Sequence, residues 1–388
     1  MTFSPVPYRI DVPESVISDL KERLQRTRWP DQLPGTTWEY GTDSTALQRL
    51  CKHWAEDFDW RAAEARLNEW PQFTTTVDGQ NLHYAHIRSP HENAMPLVVT
   101  HGWPGSIAEF LKVVGPLTNP TQHGGSAEDA FHVVVPSIPG YGFSGPTTDQ
   151  GWDVVRVARA IAAVMSGLGY ERYGAQGGDW GSIISSHIAL QDFEHVAGIH
   201  INMVVARPPD ENPMDGVLPE EMAGLAFMAQ FRGHETGYQE IQKTRPQTLA
   251  YGLTDSPAGL AGWILEKFRQ WSDCDGDPFS VHTLDELCTN IMIYWVTGTI
   301  NSSTRLYYET IGPGRATPLP RVETPTGCAI FPKELYQAPR VWADRQYNVQ
   351  GWSRFDHGGH FAAMEQPALL VDDIRSFFRT LRTGTAGS

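Results

Sequence analysis

Six residues, Gly177-Gly178-Asp179-Trp180-Gly181-Ser182, constrain this chain more than any other stretch. A sharp strand-to-helix turn that lifts one side chain into the open needs small neighbours, and Gly177, Gly181 and Ser182 supply them around Asp179. A serine at that position would attack acyl carbons. A carboxylate attacking an ester or amide would give a mixed anhydride, a poor intermediate. Displacing a leaving group from a saturated carbon, it gives an ordinary ester that water can cleave. The turn therefore points to a substrate with a reactive sp³ carbon, such as an epoxide or an alkyl halide.

The surrounding pattern is that of a parallel sheet with helices on both faces. The β-branched runs Leu97–Thr100 and Phe131–Pro136 each end in a glycine-rich loop, and Trp152–Gly167 reads as a helix between strands. The strand before the turn is expected at Arg172–Gln176, with Val196–Val205 following. Thr74–Ile87 alternates around Asp78-Gly79 and predicts a hairpin. Residues 206–320 lose this alternation and read as a helical insertion. It returns at Thr326–Phe331 and Gly351–Phe355, before an amphipathic helix at Pro367–Leu381.

Four segments follow: an N-terminal meander (1–72), a first core part (73–205), a lid (206–320) and a second core part (321–388). In the meander, Val16, Ile17, Leu20 and Leu24 predict a helix over Pro13–Arg26 with Asp11 as its cap, and two more helices follow Asp43 and Asp59. Trp29, Trp38, Trp54, Trp60 and Trp70 read as packing anchors.

At 388 residues the chain can bury a large core. A formal charge of −15 repels phosphate backbones and anionic lipid, which argues against nucleic acid or a membrane surface as partners. Cys51, Cys274, Cys288 and Cys328 show neither disulfide nor zinc spacing, so reduced thiols are expected. With no apolar leader or spanning segment in view, a soluble, cytoplasmic protein is the expectation.

An aspartate between glycines is often only a turn residue, so the order of residues along the chain matters. Asp179 precedes Glu334, just after one late strand, and His360, just after another; this is the nucleophile, acid, histidine order of an α/β-hydrolase sheet. Glycines 358 and 359 place His360 on a loop expected to be flexible, where an imidazole could swing over the nucleophile. His101-Gly102-Trp103-Pro104-Gly105 follows a strand, where the backbone N–H of Trp103 and that of Trp180 would form an oxyanion hole. The Gly140–Ser144 loop fits the same scaffold as a shaping element.

With these motifs in order the chain resembles the α/β-hydrolase-fold epoxide hydrolases that carry an extra N-terminal domain, the microsomal-like and soluble fungal type. The resemblance covers nearly the whole chain, including the Trp29-Pro30 motif of the meander. It implies Asp179 as nucleophile, His360 as water-activating base, Glu334 as the acid that orients it, and Tyr238 and Tyr307 as lid tyrosines that protonate the epoxide oxygen. Tyr308 competes with Tyr307, since neighbours on a helix point about 100° apart. Asp344 and Asp356 are substitutes for Glu334 outside the matching motif.

The implied reaction opens an epoxide to a vicinal diol through an aspartyl ester, with no metal or organic cofactor, and the family permits a homodimer. A haloalkane dehalogenase uses the same ester but needs N–H donors for the halide, a role the Trp103 and Trp180 indoles leave open. A non-catalytic ligand-binding protein on the same fold is the rival from another class, and turnover of an epoxide discriminates it.

Overall fold

The computed structural model describes residues 3–382. Its centre is a nine-stranded sheet in the order β1-β2-β3-β5-β4-β6-β7-β8-β9. The strands are β1 (Val6–Tyr8), β2 (Gln72–Val77), β3 (Gln80–Ile87), β4 (Met95–Thr100), β5 (Phe131–Pro136), β6 (Tyr173–Gly177), β7 (Val196–Ile201), β8 (Val322–Ile330) and β9 (Tyr347–Arg354). From β5 to β9 all pairings are parallel, while β1, β2 and β3 form an antiparallel edge. Leu97, Val98, Val133, Val135 and Ile199 are fully or almost fully buried, as strands covered on both faces require.

Local chemistry explains the elements. Asp78 (φ 50°) and Gly79 (φ 76°) are both left-handed, which matches the right-handed twist of the β2–β3 hairpin. Helices α1 (Glu14–Gln25), α2 (Ser44–Glu56) and α3 (Trp60–Leu67) form the N-terminal segment. Asp43 and Asp59 cap α2 and α3 through the amides of Ala46 and Ala62. Asp11 does not cap α1: Pro13 holds the N-cap position and no side chain accepts there. Ile17, Leu20 and Leu24 are the buried stripe of α1.

The meander is joined to the rest more closely than its sequence foretold. Its first residues supply β1, which pairs with β2 at the sheet edge, and α1 and α2 pack on the lid helix Pro257–Trp271. Trp54 and Trp60 are buried anchors, and Trp38 and Trp70 pack partly against the core. Trp29 is 38% exposed and lines a surface crevice with Pro257 and Trp263 of that lid helix, a looser seat than expected.

Helices Val154–Gly167 and Trp180–Gln191 pack against each other on one face of the sheet; Pro367–Arg382 covers β7, β8 and β9. The last is pinned by Arg379, whose guanidinium reaches both oxygens of buried Asp129 at 2.9 and 2.6 Å. Lid helices run from Met222 to Ile311, and Ile300–Ile311 packs on Gly237–Thr244. All four cysteines are free and buried. Among the described residues no helix is long and apolar enough to cross a membrane.

Candidate active site

Strand β6 ends at Gly177 and the next helix begins at Trp180, so Asp179 occupies the turn with φ 47° and ψ −129°. Such a conformation is costly for a residue with a side chain and persists only where the surroundings enforce it. Here they do. A Cβ on Gly177 would collide with the Gly181 backbone, and one on Gly181 with the carbonyl of Thr100. The same logic holds at Gly102, where a Cβ would strike the Asp179 side chain. Closeness of that loop lets the Trp103 amide donate to Asp179 Oδ1 at 2.8 Å. Trp180 opens its helix, where amides have no intrahelical acceptor and face outward from the turn.

A histidine comes from the far end of the sheet. His360 Nδ1 lies 2.8 Å from Glu334 Oε1, and Nε2 lies 3.4 Å from Asp179 Oδ2. Lys333 N donates to Gly358 O at 3.1 Å and ties the two loops, while Leu335 N donates to Glu334 Oε1 at 2.6 Å and holds the carboxylate within its own loop. The histidine loop is not the flexible arm its glycines suggested. His360 N donates to Trp271 O at 2.8 Å, Gly358 N donates to Asp273 Oδ2 at 2.9 Å, and Gly359 has no room for a side chain beside Trp271. Gly359 serves close approach to the end of the lid helix, and Gly358 takes a positive φ of 103° against Phe331 and Gln366.

Burial alone would strip the imidazole of its proton, but the Glu334 charge, aided by Asp179, outweighs it and holds the His360 pKa well above the usual histidine value. Asp344 is occupied by Arg340 at 2.8 Å and Asp356 is exposed, so neither stands in for Glu334.

Tyr238 and Tyr307 come from two packed lid helices and meet edge to face, ring centres 6.0 Å apart. Tyr238 stacks on Trp103 at 5.4 Å and Tyr307 stands edge-on to Trp180 at 4.8 Å. Burial first raises both phenols well above 10; the Asp179 charge raises Tyr238 next, while for Tyr307 the Tyr238 phenol and then Asp179 add to it. Both therefore keep their protons at neutral pH. Tyr308 is half-buried beneath the Arg315 guanidinium, 5.0 Å from its ring centre, and does not line the cavity.

That cavity, about 240 Å³, is bounded by Asp179, Trp180, Tyr238 and Tyr307 and follows the helix past Ile183 to His187. Seven residues of helix make that roughly 10 Å of depth. Met203, Val205, Ile311, Leu319 and Leu335 give it apolar walls.

Sequence reasoning missed three neighbours. Trp271 packs on Trp103, Tyr238 and His360 at once. Lys267, buried and paired with Glu266, holds its ammonium 4.6 Å from the Tyr238 ring centre. Glu109 sits enclosed near His360 and Asp179. None belongs to a spaced motif; only the lid's placement brings the first two in.

Fold and site together define an α/β-hydrolase-fold protein with a carboxylate at the elbow and a helical lid. Residues 5–110 match the epoxide hydrolase N terminus family and residues 95–280 the α/β-hydrolase fold family. The chain is 36% identical over 407 residues to epoxide hydrolase 1 of Sus scrofa, covering 97% of this chain and 88% of that one. Its structure resembles juvenile hormone epoxide hydrolase from the silkworm Bombyx mori (TM-score 0.90, 31% identity, 98% and 95% of the two chains). It also resembles Aspergillus niger epoxide hydrolase (TM-score 0.87, 32% identity, 97% of each). The chain belongs to the epoxide hydrolases that carry this N-terminal domain.

Proposed function

We propose that the chain hydrolyses apolar epoxides to vicinal diols through a covalent ester on Asp179. The observation that carries this reading is the convergence of the Asp179 carboxylate and two protonated phenols on one largely apolar cavity, with His360 against Asp179 and Glu334 against His360.

An epoxide carbon is strained, but its oxygen leaves only if its growing charge is met. Tyr238 and Tyr307 hydrogen-bond that oxygen and one of them transfers its proton while Asp179 attacks the carbon in line. Alkylation turns Asp179 into a neutral ester. One of the charges that keeps His360 protonated is then gone, so its pKa falls, the imidazolium gives its proton back to the phenolate left by alkylation, and the neutral imidazole becomes a base. It takes a proton from water, whose oxygen attacks Cγ of the ester. The Trp103 and Trp180 amides meet the oxyanion, each worth about 3 kcal/mol. Collapse breaks the Cγ–O bond to the substrate, the departing alkoxide takes the second proton of the water, and the diol leaves with Asp179 restored as a carboxylate; the proton His360 takes from water replaces the one it gave to the phenolate.

A haloalkane is the second reading. Trp103 Nε1 is buried without an acceptor among the described residues, the kind of donor a halide needs. Incubation with styrene oxide and with a haloalkane of similar size decides between them: diol without halide release is expected, and halide release without diol would overturn the proposal. Neither product would favour the non-catalytic alternative.

A further inference from the structure

Hydrolysis needs one water at Asp179 while the alkyl group of the ester fills the front cavity. A second, smaller cavity of about 20 Å³ lies beside the reacting groups, lined by Asp179, His360, Thr100, Gln176 and Glu109 among others. That is room for one water and no substrate. Two polar atoms in its lining, Thr100 Oγ1 and Gln176 Oε1, are buried and lack any partner among the described residues. Buried polar groups carry a cost unless satisfied, so a small cavity walled by such atoms is a water site.

Glu109 stands between that cavity and the outside. It is the one residue shared with a cleft of about 440 Å³ bounded by Ala62 and Arg66 of α3, Lys112, and Glu286 and Thr289 of the lid helix Leu284–Thr297. Its carboxyl occupies the space a side chain at Gly105 would take, so the glycine there admits it. Burial pushes this carboxyl up to about 8; the positive His360 opposes the shift and Asp179 adds to it, with the Gly102 and Ser106 amides also opposing. A mostly neutral acid both donates to and accepts from water, as a passage needs.

We infer that Glu109 is the gate of a rear entrance, by which water from the cleft between the N-terminal segment and the lid reaches the cavity behind Asp179 and is positioned for attack on the ester. This rests on the ester mechanism proposed above. Glu109 acts through that water and is a positioning residue.

The test is a single turnover of the full chain with styrene oxide, following ester formation and ester decay separately by rapid quench and intact mass. Glu109→Leu should leave formation within about twofold and slow decay about tenfold or more, so that kcat and KM fall together as ester accumulates. Ala62→Trp, an exposed change on α3 that narrows the outer cleft without touching the site, should slow decay in the same direction. Parental decay in both variants would overturn the inference. Equal slowing of formation and decay would also overturn it, as a merely structural role. Absence of any ester in the parent chain would instead overturn the Asp179 mechanism, and the inference with it.

Discussion

Replacing Glu334 by glutamine keeps the shape of the site and removes one charge. The carboxylate lies 2.8 Å from His360 Nδ1, and both side chains are nearly inaccessible, at 1% and 2%. Charge centres about 4 Å apart at an effective dielectric near 20 interact by about 4 kcal/mol. A hydrolytic transition state in which His360 gains a proton loses that interaction, whereas alkylation by Asp179 does not use it. At 1.36 kcal/mol per tenfold, ester decay should slow by about 10³-fold. The sign follows from the physics of the imidazole: with Glu334 neutral, burial dominates and its pKa drops, making it a weaker base. Rapid-quench mass spectrometry with styrene oxide should show ester forming at near the parental rate and then persisting. Ester formation and decay falling by the same factor would refute the division of labour. Unchanged decay would show that Glu334 does not tune His360.

Tyr238→Phe and Tyr307→Phe should each slow alkylation by about 10²-fold or more in pre-steady-state assays, as expected for loss of an acid aimed at a developing oxyanion. Tyr308→Phe should be near neutral; the reverse ranking would move the second acid by one position. Trp54→Ala, at 1% exposure, should cost about 3–5 kcal/mol in denaturant unfolding, because it empties the seat of the N-terminal segment. A loss below 1 kcal/mol would show that the segment contributes little to stability. Asp129→Asn should cost about 1.5–3 kcal/mol at neutral pH. Hydrogen bonds from Arg379 hold the Asp129 pKa below 3.8, so its stabilisation is present above that pH and fades as pH falls through the folded value. The melting-temperature gap between variant and parent should therefore close below about pH 4, and a gap independent of pH would contradict the linkage.

Much of the architecture was legible because the residues that build it act locally. Strand runs such as Phe131–Pro136 and the Asp78-Gly79 turn declare themselves through alternation and φ preference, and both stand where expected. Asp179, Glu334 and His360 were legible because a parallel sheet sends strand ends to one side, so their order along the chain becomes proximity in space. What stayed hidden depends on contacts across the chain. The rigidity of the histidine loop comes from the carbonyl of Trp271 and the carboxylate of Asp273, more than eighty residues upstream. The burial of Trp54 on α2, which packs against the lid helix Pro257–Trp271, and the partial exposure of Trp29 in a crevice beside that helix depend on how the two segments meet. Glu109 looks like an ordinary residue in a short helical turn until Gly105 is seen to make room for its carboxyl.

In the proposed mechanism Asp179 forms an ester with an epoxide carbon and His360 is needed only to release it. Intact-mass analysis of His360→Gln after incubation with an epoxide tests this most directly. A stable adduct of the whole substrate mass is expected, located by peptide mapping on Asp179. A variant that remains unmodified, or that carries the adduct on another residue, would contradict it.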